Sequence, residues 1–161
     1  QKVYAVDVGY GQLAWKLRSD PRVVCLERTN ARYLTHEQVP DELDFASVDV
    51  SFISLKLILP ALRGLLKPEG HVVCLVKPQF EAARDEVGEG GVVRDPEVRL
   101  RALERIAAAF ADAGLGPTGC CESPVHGHKG NVEYLLCGQR GAARAALDLK
   151  AVVSGGTVAL A

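Results

Sequence analysis

The apolar residues of this chain come in short runs that each stop at a charged or glycine-bearing position, separated by stretches of helical period. That alternation limits the fold more than any other feature. Residues 3–6 (VYAV) read as a compact buried strand ending at Asp7, Gly9 and Gly11. A short helix is expected over 12–18, with Leu13 and Leu17 on one face. Residues 23–26 form a second strand after the Asp20-Pro21 turn, and residues 44–50 a third, with Asp49 near its end. Leu55, Ile58, Leu59, Leu62 and Leu66 give residues 54–66 a helical face that Pro60 is predicted to kink or divide. A turn at 67–70 leads into an apolar strand over 71–76 that stops on Lys77-Pro78.

Residues 78–95 are polar and Gly-rich, with no structure predicted, and their length and glycines suit a lid or a surface loop. The clearest helix follows over 96–113, with Asp95 as its cap and Pro96 in its first turn. Two β segments, 118–125 and 132–137, are joined by a turn at 126–131. The tail is expected to begin as a short helix from Ala142, with 152–161 unassigned. Strands alternating with helices predict an α/β fold with a mostly parallel sheet covered on both faces. The final link is too short for a crossover helix, so its two strands should pair as an antiparallel hairpin at the sheet's end.

With 161 residues, the chain has the length of one domain. It carries 19 Lys+Arg against 20 Asp+Glu, a net charge of -1, which argues against nucleic-acid binding through bulk positive charge. Its apolar runs are far shorter than a membrane span, and no basic-then-apolar leader opens it. The five cysteines include no C-x-x-C pair, and they suit reduced, buried thiols in a cytoplasmic protein. His126 and His128 near Cys120 and Cys121 do not have a zinc spacing, so no metal site is expected.

Ligands of open α/β sheets bind beyond the carboxyl ends of the strands. Asp7, Glu27 with Arg28, Asp49 and Lys77 stand at four such ends. Glu133 opens the last strand, whose reversed direction brings its start to the same edge. Asp49, Lys77 and Glu133 can therefore converge on one cleft. Each also has an ordinary structural role open to it: a turn or cap for Asp49, a solvated cation for Lys77, an edge charge for Glu133. Asp7-Val8-Gly9-Tyr10-Gly11 has the look of a nucleotide-binding glycine turn, with Glu27 as the ribose acid about 20 residues on, and equally of a plain strand-to-helix turn.

Six blocks taken together are more specific: VYAVDVGYGQLAWKLR at 3–18, ERTN at 27–30, DVSFISL at 49–55, KPQFE at 77–81, VGEGGVVRD at 87–95 and SPVHGHKGNVE at 123–133. In this order they closely resemble the TlyA family, the haemolysin-named, FtsJ-related ribosomal-RNA 2′-O-methyltransferases. The resemblance implies a Rossmann-like methyltransferase domain over 1–140, with 141–161 as a C-terminal helix and tail. It implies S-adenosylmethionine as cofactor, ribosomal RNA or ribosomal subunits as partners, and methylation of cytidine ribose. Asp49, Lys77 and Glu133 would be the last three members of a Lys-Asp-Lys-Glu tetrad. Asp7 and Gly9 would meet the cofactor ribose, Arg28 and Asn30 would lie near its adenine, and Asp49 would border both sites. A ribose hydroxyl is a poor nucleophile that must lose its proton as it attacks, which a buried lysine can accept.

The resemblance also implies that the first strand of the sheet, with its glycine-rich cofactor loop, the first tetrad lysine and a small RNA-binding domain, lies upstream of Gln1. Three other functions remain to be weighed. A non-catalytic RNA- or nucleotide-binding module would fold without holding the cofactor. A membrane-active haemolysin would need a span or a strongly basic amphipathic helix, and the sequence has neither. A dinucleotide oxidoreductase would make Gly9 and Gly11 its phosphate turn. No signal for an oligomeric state is present.

Overall fold

The computed structural model describes residues 1–143 and 146–159. Among these residues, strands β1 (Val3–Val6), β2 (Val23–Leu26), β3 (Leu43–Val48), β4 (Leu66–Val76), β5 (Leu115–Glu122), β6 (Tyr134–Arg140) and β7 (Thr157–Ala159) are interspersed with five α-helices. These are α1 (Trp15–Arg18), α2 (Leu59–Leu65), α3 (Pro78–Glu81), α4 (Pro96–Asp112) and α5 (Leu149–Val153). The α/β alternation is as expected, but the strands divide into two sheets. β1 and β2 pair in parallel with each other, and the other five form a mixed sheet in the order β3-β4-β6-β5-β7.

The expected buried character of 3–6 gives way to this division. β1 gains a ladder on one edge only, so Val3 is exposed and the remaining three residues are half-buried. The two sheets are joined by a small apolar cluster in which Leu34, Val39 and Leu65 pack with Tyr4, Val6, Leu26 and Leu43. Asp41 reinforces the junction by accepting hydrogen bonds from Lys2 and Tyr4.

The hairpin of β5 and β6 is antiparallel as predicted, but it does not end the sheet. β6 also pairs antiparallel with β4, and so lies in the interior, while β7 adds to the outer edge of β5. A strand as apolar as Tyr134, Leu135, Leu136 and Cys137 loses most solvent-exposed backbone when both of its edges are bonded. The helix expected from Ala142 is absent at 142–143, and residues 144–145 lie outside the described set. The tail helix is α5, capped by the Asp148 carboxylate, which accepts from Ala151 N–H. The unassigned end contains β7, with 160–161 also outside the described residues.

Pro60 divides the predicted 54–66 helix as expected: a 3-10 turn spans Leu55–Leu57 and α2 begins anew with proline in its first turn. The 67–70 turn survives as an irregularity inside β4, where Glu69 has φ 63° and the register with β3 breaks between Leu43 and Phe45. The helix predicted over 12–18 is confined to α1, whose four residues include no buried one. α4 matches its prediction closely. Asp95 accepts from Glu97 N–H, and Val98, Ala102, Leu103, Ile106 and Phe110 face the core. Phe110, Leu103 and Tyr134 have no exposed surface, and they join α2, α4 and α5 to the five-stranded sheet in one core. Among the described residues no helix is long and apolar enough to cross a membrane.

Candidate functional site

Pro78 explains where Lys77 stands. A proline disfavours helical geometry in the residue before it, so Lys77 stays extended (φ -111°, ψ 100°), closes β4, and caps α3 with Pro78 in the first turn. The β4–β6 register pairs Val76 with Tyr134, which sets Lys77 and Glu133 across from each other just beyond the ladder. In the parallel β3–β4 pair Val48 lies beside Cys74, so the loop leaving β3 passes the same strand end.

These three junctions build a cleft of about 570 Å³. Lys77 Nζ contacts Asp49 Oδ1 at 2.7 Å and donates to Ser51 Oγ at 3.1 Å. The pair is asymmetric: 13% of the Lys77 side chain is exposed against 70% for Asp49, so the carboxylate stands at the mouth and the nitrogen in the wall. Glu133, only 5% exposed, accepts a 2.8 Å hydrogen bond from Gln79 Nε2 and not from Lys77. All three residues predicted from the strand ends thus line one cleft, with Lys77 joined directly to Asp49 and Glu133 held through Gln79.

Much of the lining was not evident in the sequence. Phe52 is 89% exposed, has φ 63°, and meets Phe80 with ring centroids 4.9 Å apart. A bulky residue in the left-handed region costs about 1–3 kcal/mol and persists only where its surroundings hold it, a pattern common in binding loops. Arg28 and Lys129 are also non-glycine residues with positive φ. His126 and His128 line the cleft, and the Lys129 ammonium lies over Gly90. Gly127 is required by contact: a Cβ there would sit 2.5 Å from Glu133 Cδ.

The 78–95 stretch, expected to lack structure, is folded into α3 and short 3-10 turns. Buried Asn131 pins it to the β5–β6 turn by accepting from Val93 N–H and donating to the Gly91 carbonyl. Glu81 is also tied in: its carboxylate accepts from Ser54 Oγ at 2.6 Å and from Leu55 N–H at 2.8 Å. Burial raises its pKa above the ordinary carboxylate value, with these hydrogen bonds opposing the shift.

The other group of predicted residues sits at the ends of β1 and β2. Asp7 Oδ1 accepts from Gly9 N–H at 2.7 Å, while among the described residues its Oδ2 takes no hydrogen bond. Arg28 N–H donates to the Gly9 carbonyl, and its guanidinium lies over the Tyr10 ring. Asn30 caps the following 3-10 turn through Arg32 N–H. Glu27, the acid of the dinucleotide alternative, is committed elsewhere: it accepts from Arg18 and from Gly11 N–H, and the Arg18 guanidinium holds its pKa down. Among the described residues no hydrogen bond or ion pair joins Asp7, Arg28 or Asn30 to Asp49, Lys77 or Glu133.

Comparison with known proteins gives a consistent picture. The model of FtsJ-like methyltransferases matches residues 1–140. The 16S/23S rRNA (cytidine-2′-O)-methyltransferase TlyA of Mycobacterium tuberculosis is 52% identical over 134 residues, covering 83% of this chain and 50% of that protein. Hemolysin A of Brachyspira hyodysenteriae is 43% identical over 136 residues, 84% of this chain and 57% of that protein. A crystal structure of a hemolysin-named protein from Lactococcus lactis superposes with a TM-score of 0.90 at 43% identity, covering 95% of this chain and 75% of the other. The chain spans about half the length of the curated relatives it matches.

Proposed function

This chain belongs to the FtsJ-like methyltransferase family, with the Rossmann-like α/β fold of that family, and from that premise we propose that the protein transfers a methyl group from S-adenosylmethionine to the 2′-hydroxyl of a cytidine in ribosomal RNA. The observation that carries this proposal is the Lys77 amine, walled into a cleft, bonded to Asp49 and Ser51, and faced by buried Glu133.

The cofactor would supply an electrophilic methyl carbon. Asp7 suits its ribose, because one carboxylate oxygen is oriented by Gly9 N–H and the other is open to accept from a diol. Arg28 and Asn30, on the turn after β2, would border its base, and Asp49 would stand between cofactor and RNA.

The remaining work falls to side chains of the cleft. The exposed ring of Phe52 offers a stacking face for an unstacked base, which is how single-stranded RNA is commonly held. His126, His128 and Lys129 at the rim suit the phosphate backbone. The hydroxyl proton lost as the ribose oxygen takes the methyl would pass to Lys77 Nζ, which must enter as the neutral amine. Asp49 would steady the ammonium so formed, while the electron pair of the broken carbon–sulfur bond would stay on sulfur. Glu133, fixed by Gln79, orients the sugar on the opposite wall.

Lys77→Ala and Asp49→Ala should each abolish methyl transfer to ribosomal RNA, and in Lys77→Ala calorimetry should still detect S-adenosylmethionine binding. Transfer retained in both variants would refute the site. Folded wild-type protein with no affinity for S-adenosylmethionine would favour the non-catalytic module.

A further inference from the structure

After Pro78, every side chain of α3 is spent on a different partner: Gln79 on Glu133 and Phe80 on Phe52 within the cleft, and Glu81 on Ser54 and Leu55 beside it. The last of these is the least expected. The 3-10 turn that leads into α2 begins at Leu55, and Ser54, a good capping residue by type, makes no cap bond to its own segment. Its hydroxyl instead donates to Glu81 Oε2, while the first amide of the turn, Leu55 N–H, donates to Oε1. The cap of one segment is thus supplied by a residue 26 positions later.

That exchange has a geometric result. The loop leaving β3 carries Asp49, Ser51 and Phe52. Its near end is held by the ladder, where Val48 lies beside Cys74. Its far end is held by the two bonds to Glu81, on the short helix that directly follows Lys77. With both ends tied to the Lys77 segment, Asp49 and Ser51 meet Nζ at 2.7 and 3.1 Å, and Phe52 keeps its positive φ.

We propose that Glu81 is a positioning residue, which clamps the 49–54 loop to α3 and so sets the alignment of Asp49 and Ser51 on Lys77. The catalytic part of this inference rests on the methyl-transfer proposal above, whereas the clamp itself does not.

The test compares Glu81→Ala and Glu81→Gln with wild type by amide hydrogen exchange and by single-turnover methyl transfer to ribosomal RNA. Glutamine keeps an oxygen for Leu55 N–H and offers its amide to Ser54 Oγ. In Glu81→Ala, exchange at Leu55 and across 51–53 should accelerate while the β4–β6 ladder stays protected. The transfer rate should fall about tenfold or more, as for a slight misplacement of reacting groups, with KM for RNA little changed. Glu81→Gln should restore most of both. Wild-type exchange at Leu55 in Glu81→Ala would overturn the clamp, and an unchanged rate, or no rescue by glutamine, would overturn the positioning role. If Glu81→Ala also loosens the ladder, Ser54→Ala decides, since it deletes one of the two bonds: faster exchange at 51–55 with a smaller rate loss upholds the proposal, and neither effect refutes it. A wild-type protein that transfers no methyl would refute the functional proposal, with the exchange data still judging the clamp.

Discussion

A single methyl group added at Gly127 should disable the cleft by displacing Glu133. Gly127 has φ -73° and ψ -171°, a conformation open to alanine, so the backbone imposes no penalty. The obstacle is Glu133. The new Cβ would stand 2.5 Å from its Cδ and closer still to Oε1, the oxygen that accepts from Gln79. Ordinary contact begins at 3.4 Å, so the carboxyl group must withdraw by about 1 Å. On an exposed arm such a shift would be easy, but Glu133 is 5% exposed and held by its hydrogen bond from Gln79. Losing the charge-assisted bond to Gln79 costs about 1.5–3 kcal/mol of stability. A displacement of this size among reacting groups can slow a reaction about 100-fold, or roughly 2.7 kcal/mol of barrier. Single-turnover methyl transfer and urea unfolding of Gly127→Ala, Glu133→Ala and the double variant measure both effects. With Glu133 removed, Gly127→Ala should cost no further stability. A Gly127→Ala enzyme at near wild-type rate, or an equal stability cost in both backgrounds, would refute the reasoning.

Glu81→Gln should also change the pH dependence of stability. Burial raises the Glu81 pKa above its ordinary 4.5, opposed by Ser54, Leu55 and the more distant Arg105. The native state therefore holds this proton more tightly than the unfolded chain, and stability declines as pH rises from about 4.5 through the raised value. The melting temperature of wild type should fall relative to Glu81→Gln over that interval, and parallel pH curves would contradict it. Burial pushes the Cys120 thiol up to about 12 and raises Cys74 as well, so both should resist iodoacetamide at pH 8 in the folded protein. Mass spectrometry finding either modified as fast as a free thiol would disprove this. Gly138→Ala would set a Cβ 2.6 Å from Phe110 Cδ1 in the core and should cost about 1–3 kcal/mol by chemical denaturation, whereas a neutral result would mean that α4 yields easily.

The parts of the site that follow local rules were legible in the sequence. Lys77 was identifiable because an apolar run meets a Lys-Pro step, and Asp49 because an acid closes a strand. Glu133 followed once the short 126–131 link required an antiparallel return. Asp95 and Pro96 likewise announced α4. What escaped was set by partners distant in the chain. Gln79 reaches Glu133 across 54 positions and Glu81 reaches Leu55 across 26, and no periodicity encodes such bonds. Nothing in the sequence sets Phe52 apart, because exposure and a positive φ are properties of the folded loop. The 78–95 stretch looked unstructured because Asn131, far along the chain, supplies the bonds that order it.

The sheet was legible to the same degree. The pairing of β5 with β6 could be inferred from their short link, but the insertion of β6 beside β4 is a choice among edges that only the assembled sheet makes. The separation of β1 and β2 from the other five strands was equally invisible to local pattern, since VYAV and VVCL are as apolar as strands of the main sheet.

The central claim is that the Lys77 cleft methylates a ribose oxygen, and the position of the transferred methyl tests it most directly. Ribosomal RNA incubated with the protein and labelled S-adenosylmethionine is hydrolysed in alkali, which needs a free 2′-hydroxyl to cleave the adjacent phosphodiester. The account predicts label in alkali-resistant dinucleotides, lost in Lys77→Ala. Label released in mononucleotides, or dinucleotide label undiminished in Lys77→Ala, would contradict it.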